Sequence, residues 1–246
     1  MSSLIVYPDH TQFVEGAADF IVRQAQAAIA QRDRFTIALS GGGTPRPIYA
    51  CLADARYRNR IDWARVHVFF SDERCVRPDD ERSNYYMARE ALLDRVPLPA
   101  ANVHRVQGEI DPVQAAAAYE EQLHGLFGAA TFPAFDLICL GLGDNGHTAS
   151  LFPGTAVLRE QAHGVLAQYV EVVAMWRVTF TVPLINAARQ VAFFVEGASK
   201  AEIMQRVLQG PYDPDVLPAQ LVRPQPGQLS WLIDRAAAAR VQSAGS

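Results

Sequence analysis

The stretch FDLICLGLGDNGHTASLFPG, residues 135–154, joins an apolar run to a glycine-rich loop. The run, residues 135–140, predicts a buried strand because it is short and almost entirely apolar. The loop contains G-x-G-x-x-G from Gly141 onward, a spacing typical of a dinucleotide-binding turn. Such a turn leads into a full helix within a first βαβ unit, whereas Pro153 and Gly154 stop this segment past the middle of the chain. We therefore expect a buried strand followed by a loop that does not bind a dinucleotide.

Apolar runs of this kind alternate with helical patterns along the chain. Strands are predicted at residues 4–7, 35–39, 66–70, 135–140, 178–182, 191–195 and 229–233. Helices are predicted over residues 13–28, from 45, after 83, over 112–126 behind the capping residue Asp111, near 198, and over the closing RAAAARV, residues 235–241. This alternation indicates one α/β domain over residues 1–246, a three-layer αβα sandwich with a mostly parallel, Rossmann-like sheet and helices on both faces. Residues 243–246 are expected to be disordered.

The composition argues against several classes of protein. Half of the residues are hydrophobic and the formal net charge is −4, so there is no electrostatic footprint for nucleic acid or an anionic membrane. Three separated cysteines without a C-x-x-C pair argue against a disulfide framework and a structural zinc site. No apolar run approaches the roughly 18 residues of a membrane span, and the first residues lack the features of a signal peptide. We therefore expect a cytoplasmic protein.

The segment SGGGTP, residues 40–45, follows a predicted strand, and in parallel sheets ligands bind beyond the carboxyl ends of the strands. Glycines allow a ligand to approach the backbone, Thr44 is a suitable helix cap, and Pro45 suits the first helical position. The free N–H groups at a helix start bind anions, so we favour a phosphate site over a plain tight turn. The predicted binding residues are Ser40, Gly41, Gly42, Gly43 and Thr44. The segment is not a Walker loop, because the G-K-[ST] lysine is missing.

The segment SDER, residues 71–74, follows another predicted strand. Its charges are interpreted either as a solvated cluster or, because of their position at a strand end, as functional groups. Arg74 is suited to bidentate binding of a phosphate. Asp72 stands where a catalytic carboxylate would lie.

Three more residues are candidates for the same site. His147 is exposed by glycines at a strand end, and its near-neutral pKa suits a general base. Lys200 falls in the first turn of a predicted helix, where a cation is unfavourable unless an anion lies nearby. It is therefore either an anion-binding residue or a surface lysine. Arg177 is a weaker candidate of the same kind, with a place on the rim of the site as the alternative.

Taken together, these segments resemble the glucosamine-6-phosphate isomerase/6-phosphogluconolactonase family over nearly the whole chain. The combination of SGGGTP, SDER and GHTASLFP carries the resemblance. It implies hydrolysis of 6-phospho-D-glucono-1,5-lactone to 6-phosphogluconate in the oxidative pentose phosphate pathway, with no metal and no cofactor. It further implies that His147 is the base, that residues 41–44, Arg74 and Lys200 anchor the phosphate and sugar, and that Arg177 lies near the pocket. The expected partner is a small sugar-phosphate lactone, bound by a monomer or weak dimer.

One position departs from the family pattern. The family usually has D-G-H where this chain has Asn145, Gly146 and His147. Asn145, grouped here with the substrate-binding residues, can orient an imidazole but cannot stabilise an imidazolium as a carboxylate would. Asp144 is one position away and is not assumed to replace it.

Two alternative functions remain open at this point. One is a sugar-phosphate isomerase or deaminase of the same family, in which Asp72 would shuttle protons at carbon. The deaminase relatives, however, carry a glutamate five residues after the histidine, where this chain has Phe152. The other alternative is a non-catalytic, sugar-phosphate-sensing domain of a transcriptional regulator, but neither end of the sequence shows a DNA-binding segment.

Overall fold

The computed structural model describes residues 2–128 and 130–242, so residues 243–246, predicted to be disordered, lie outside the described part. The strands are β1 (Ser2–Tyr7), β2 (Phe35–Leu39), β3 (Val66–Phe70), β4 (Asp72–Arg74), β5 (Leu137–Leu140), β6 (Val165–Val170), β7 (Met175–Phe180), β8 (Gln190–Val195) and β9 (Gln228–Asp234). The helices are α1 (His10–Arg32), α2 (Pro45–Ala53), α3 (Ala55–Arg58), α4 (Asn84–Ala91), α5 (Pro112–Phe127), α6 (Val182–Asn186) and α7 (Ala201–Gln209).

A central parallel sheet organises the molecule. Within the described residues it has the strand order β1-β9-β8-β5-β2-β3, and β5 lies between β8 and β2. The side chains of β5 alternate between two separate cores: Ile138 and Leu140 join one, and Leu137 and Cys139 join the other. Helices α5, α6 and α7 contribute to the first core, and α1, α2 and α4 to the second. The predicted α/β fold, with a mostly parallel sheet and helices on both faces, is confirmed.

A second, smaller sheet was not expected from the sequence. It is antiparallel and has the order β4-β7-β6 in the part of the chain that is described. The strand predicted at residues 178–182 is β7, which begins earlier, ends at Phe180, and belongs to this sheet rather than to the parallel one. Val182 instead opens α6, with a proline in its first turn.

Two predictions about helix formation are wrong. Residues 235–240 form successive turns rather than a closing helix, with backbone bonds of the i to i+3 kind such as Ala239 N to Ala236 O. A run of alanines this short does not offset the cost of helix nucleation. Thr44 precedes α2 as expected, but its side chain makes no capping hydrogen bond because its own backbone is already helical, with φ −62° and ψ −45°. By contrast, Asp111 caps α5 as predicted, accepting from the N–H groups of residues 113 and 114.

Several loops converge at one edge of the central sheet. Strands β2, β3, β5 and β8 run in the same direction, so their carboxyl ends, and the segments that follow them, lie side by side. The segment 40–45 follows β2, β4 follows β3 after one residue, the glycine-rich loop follows β5, and Lys200 follows β8. No helix within residues 2–128 and 130–242 is long and apolar enough to cross a membrane.

Candidate active site

A cleft of about 360 Å³ opens at these strand ends. Of the residues predicted for the site, the following line it: Ser40, Gly41, Gly42, Gly43, Thr44, Asp72, Arg74, His147, Arg177 and Lys200. Asn145 is outside this lining and contacts His147 instead. Segments separated by more than 150 positions in the chain are thus brought to one place.

The glycine-rich segment after β2 has specific backbone requirements. Gly42 has φ +101°, a conformation that side chains with a Cβ rarely adopt. A Cβ at Gly41 would overlap the amide of Asn84, lying 2.8 Å from its Nδ2. Tyr49 fixes the start of the segment: its hydroxyl accepts a hydrogen bond from Ser40 N at 3.0 Å and donates one to Ser40 O at 3.1 Å. This arrangement brings the backbone at the start of α2 to the cleft without side chains in the way.

The acidic residues of SDER are buried, so the interpretation as a solvated cluster is wrong. Glu73 accepts from Asn84 N at 2.7 Å, from Tyr85 N at 2.8 Å and from Ser83 Oγ at 3.0 Å. It thereby satisfies free N–H groups at the start of α4. Burial raises the pKa of Glu73, against the lowering effect of these hydrogen bonds. Glu73 fixes the loop, which leaves Asp72 and Arg74 as the groups of this segment that reach the cleft.

Two arginines lie opposite each other on the small sheet. Arg74 on β4 is the register partner of Arg177 on β7, so both side chains project from the same face. Arg74 Nη1 also donates to the backbone oxygen of Arg82. Arg177 is 9% exposed, which excludes the rim position considered from the sequence, and burial lowers the pKa of its guanidinium. Two adjacent guanidinium groups form a positive region suited to an anion.

The side chain of His147 is held on several sides. Asn145 Oδ1 accepts from His147 N at 3.2 Å and lies 2.5 Å from Nδ1. Because the backbone N–H can only donate, the oxygen of the Asn145 amide must face the histidine, so Nδ1 carries the proton and Nε2 the lone pair. Phe152 stacks on the imidazole with ring centroids 4.1 Å apart. Gly143 leaves room for the ring, since a Cβ there would overlap Nδ1.

The environment of His147 favours its neutral form. Burial is the main cause that lowers its pKa, and Asp72 is the strongest opposing influence. The cations Lys200 and Arg177 lower the pKa further, and Asp144 opposes them. A neutral imidazole with a free Nε2 is the state that a general base requires.

Lys200 has the anionic neighbour that its position requires. It ends the 3-10 turn Ala198–Lys200, directly before α7, and its Nζ lies 2.5 Å from Asp144 Oδ1. The hydrogen bond with Lys200 is the main cause that lowers the pKa of Asp144. Lys200 lines the cleft, and its partner Asp144 is on the histidine loop, so a bound anion would compete with Asp144 for this cation.

Neither Asn84 nor Ser150 stands out in the sequence, yet both contact Asp72. Asn84 Nδ2 donates to Asp72 O at 2.8 Å and to Asp72 Oδ1 at 3.1 Å, and Ser150 Oγ donates to Asp72 Oδ2 at 2.7 Å. Four buried polar atoms of cleft residues lack a hydrogen-bond partner in the part of the chain described: Ser40 Oγ, Arg74 Nε, Asn84 Oδ1 and Arg177 Nε. Each such atom costs about 1–3 kcal/mol, and their clustering is typical of a functional site.

The charged side chains of the cleft indicate what it can bind. Across residues 2–128 and 130–242, no group of three or more His, Cys, Asp or Glu side chains is placed to hold a metal ion. The cleft instead combines three cations, one buried carboxylate and one imidazole. This set is suited to binding an anionic substrate and moving a proton.

Comparison with known proteins identifies the family. The family model described as glucosamine-6-phosphate isomerases/6-phosphogluconolactonase matches residues 8–231. The chain belongs to this family. A 6-phosphogluconolactonase of Nostoc sp. in the family is 43% identical over 239 residues, which cover 96% of this chain and 97% of that protein. One from Synechocystis sp. is 45% identical over 227 residues, covering 91% of this chain and 92% of that protein.

Solved structures agree with this assignment to the glucosamine-6-phosphate isomerase/6-phosphogluconolactonase family. The structure of 6-phosphogluconolactonase from Trypanosoma cruzi matches with a TM-score of 0.87 and 28% identity, covering 99% of this chain and 98% of that one. The resemblance inferred from the three loop segments is therefore confirmed.

Proposed function

We propose that this protein hydrolyses 6-phospho-D-glucono-1,5-lactone to 6-phosphogluconate, with His147 as the general base. The relatives named above support the reaction, because two bacterial 6-phosphogluconolactonases match nearly the full length of the chain. The observation that carries the assignment of the base is the contact of His147 with Asn145, at 2.5 Å between Nδ1 and Oδ1. This contact leaves Nε2 unprotonated in a cleft that also contains cationic residues.

The proposed reaction needs one water molecule and no redox partner. His147 Nε2 takes a proton from water as the water oxygen forms a bond to C1 of the lactone, and the carbonyl oxygen becomes an oxyanion. When this intermediate collapses, the bond between C1 and the ring oxygen breaks. His147 returns its proton to the ring oxygen, which becomes the C5 hydroxyl, and the new carboxylic acid ionises in solution.

The substrate phosphate supplies orientation at a distance from C1. We propose that it binds between the backbone at the start of α2, the guanidinium of Arg74 and the ammonium of Lys200, all of which line the cleft. Fixing a dianion at one end of the sugar converts binding energy into alignment at the other end. Arg177, beside Arg74, adds positive potential to the same region.

Isomerase or deaminase chemistry is less well supported. Phe152 stands at the position where the deaminase relatives carry a glutamate, and its ring stacks on His147. Asp72, the carboxylate available for proton transfer at carbon, already accepts hydrogen bonds from Asn84 and Ser150. A carboxylate so engaged is poorly prepared to exchange protons with a substrate carbon.

We further infer one cytoplasmic domain, monomeric or weakly dimeric, that binds neither nucleic acid nor membranes, in line with its formal net charge of −4.

The decisive experiment generates the lactone in situ and follows its disappearance with and without the protein. We expect acceleration over the spontaneous reaction that persists in the presence of a chelator. The matched variant His147→Ala should lose about 10² to 10⁴ in kcat, the usual contribution of a positioned base, with KM near the parent value. No acceleration by the parent protein would overturn the proposed reaction. Near-normal kcat in His147→Ala would overturn only the assignment of the base.

A further inference from the structure

Asn145, the residue that contacts the His147 ring, is neutral, although the proposed reaction creates an imidazolium. Asn145 fixes the tautomer but supplies no negative charge when His147 accepts its proton. An imidazolium in a partly buried cleft, close to Lys200 and Arg177, needs a compensating anion. Two carboxylates act on His147 in the direction that favours its protonated form, and these are Asp72 and Asp144.

These two carboxylates differ in how strongly water screens them. The side chain of Asp144 is 82% exposed and is paired with Lys200 at 2.5 Å. Asp72 is 7% exposed, and its nearest cation, Arg177 Nη1, lies 4.0 Å from Oδ2, which is beyond hydrogen-bond distance. Interactions of a buried charge are stronger than those of an exposed one, because less water lies between the groups. Asp72 is therefore the carboxylate whose charge reaches His147 with less screening.

The position of Asp72 is fixed relative to the histidine loop. Ser150, fully buried and three residues after His147, donates to Asp72 Oδ2 at 2.7 Å. Asn84 donates to the other oxygen at 3.1 Å. The Asn84 amide is oriented by this contact, since both atoms of Asp72 that it approaches are acceptors. Two donors from different segments, one at the start of α4 and one after the histidine loop, thus fix the position of the carboxylate beside the cleft.

We propose that Asp72, held by Ser150 and Asn84, supplies the negative charge that stabilises the His147 imidazolium during lactone hydrolysis, while Asn145 sets only the tautomer. This inference rests on the proposed function. The carboxylate that the D-G-H pattern would place beside the histidine is thus replaced by one that follows a different strand. Asp72 acts through His147 and takes no proton in any step, so it is a positioning residue.

The test first removes the carboxylate at position 72 and then restores one at position 145. Asp72→Asn keeps the shape of the side chain, and its amide can donate to Ser150 Oγ and accept from Asn84, so the contacts survive. We expect its kcat to fall about 10-fold to 10²-fold, less than the 10² to 10³ lost with a direct oxyanion donor, because Asp72 does not touch the reacting atoms. KM should not rise. The acidic limb of the pH–rate profile should move to lower pH, because the pKa of His147 falls without this anion.

Rescue distinguishes this role from a structural one. Adding Asn145→Asp to Asp72→Asn restores a carboxylate beside the imidazole, so the acidic limb should return to higher pH and most of the lost kcat should be recovered. A double variant no faster than Asp72→Asn would overturn the proposal, as would a raised KM without rescue, which would indicate direct contact of Asp72 with the sugar.

A second measurement does not depend on activity. The pKa of His147 can be followed by NMR titration of its ring protons, which are assigned by their loss in His147→Ala. We expect a lower pKa in Asp72→Asn and a smaller change in the control Asp144→Asn, whose carboxylate is exposed. An unchanged pKa in Asp72→Asn would overturn the inference even if the parent protein proved to be an active lactonase. A changed pKa would support it independently of the activity assay.

Discussion

Replacement of Gly143 by alanine tests the placement of His147 most directly. A Cβ at this position would overlap Nδ1 and Cε1 of the imidazole and would lie 2.8 Å from Cγ. Non-bonded heavy atoms settle at about 3.5–4.0 Å, so even Cγ must retreat by roughly 0.7 Å and Nδ1 by more than about 1 Å. The ring cannot move far in its own plane without losing the hydrogen bond to Asn145 and the stacking on Phe152.

Misplacement of a catalytic group by about 1 Å can cost 10²-fold in rate, so we expect Gly143→Ala to lose about 10² in kcat. KM should change little, because the proposed phosphate anchors lie on other loops. The assay is lactone hydrolysis, with thermal unfolding measured in parallel to show that the fold is intact. Gly141→Ala is the matched control, since its Cβ would meet no atom within 4 Å in the described structure. A Gly143→Ala variant with kcat within twofold of that control would refute the reasoning.

Three further outcomes are expected. Arg74→Ala and Lys200→Ala should raise KM and weaken competitive inhibition by inorganic phosphate, and an unchanged KM in both would remove these residues from the anion site. Asn145→Asp alone should move the acidic limb of the pH–rate profile to higher pH, because an adjacent carboxylate raises the pKa of His147; an unmoved limb would contradict coupling of the two side chains. Burial lowers the pKa of His104 from 6.5 to about 4, so protonation favours the unfolded state. The stability that this neutral histidine contributes should be present above pH 6.5 and be lost as pH falls towards 4, a loss measurable by urea unfolding that His104→Phe should reduce.

The sequence was informative where structure follows from local composition. The inner strands β2, β5 and β8 of the parallel sheet are buried along their whole length, because helices cover both faces. The small sheet escaped prediction because β4 has three residues and β6 exposes or half-exposes the side chains between Val165 and Val170. The closing helix was wrong because a short alanine-rich run does not offset the cost of helix nucleation.

The site, too, could be predicted from the sequence only in part. Glycines, a histidine and basic residues at strand ends could be recognised, because parallel strands bring their carboxyl ends together. The contacts of Asp72 with Asn84 and Ser150 could not, since they join residues 12 and 78 positions apart. Neither residue spacing nor secondary-structure propensity indicates contacts of this kind. The replacement of an adjacent carboxylate by a distant one is visible only in three dimensions.

The pairing of β4 with β7 has a consequence for how this chain can vary in length. Arg177 lies opposite Arg74, while the next residue, Val178, is 1% exposed in the core behind the sheet. A slip of one residue would turn Arg177 into that core and bring the valine to the cleft. The 3-10 turn Glu171–Val173 at the tip of the β6–β7 hairpin lies outside this pairing. One residue inserted between Val170 and Met175 therefore leaves the pairing of Arg74 with Arg177 unchanged, whereas one inserted within β7 forces a slip of its pairing with β4 or β6.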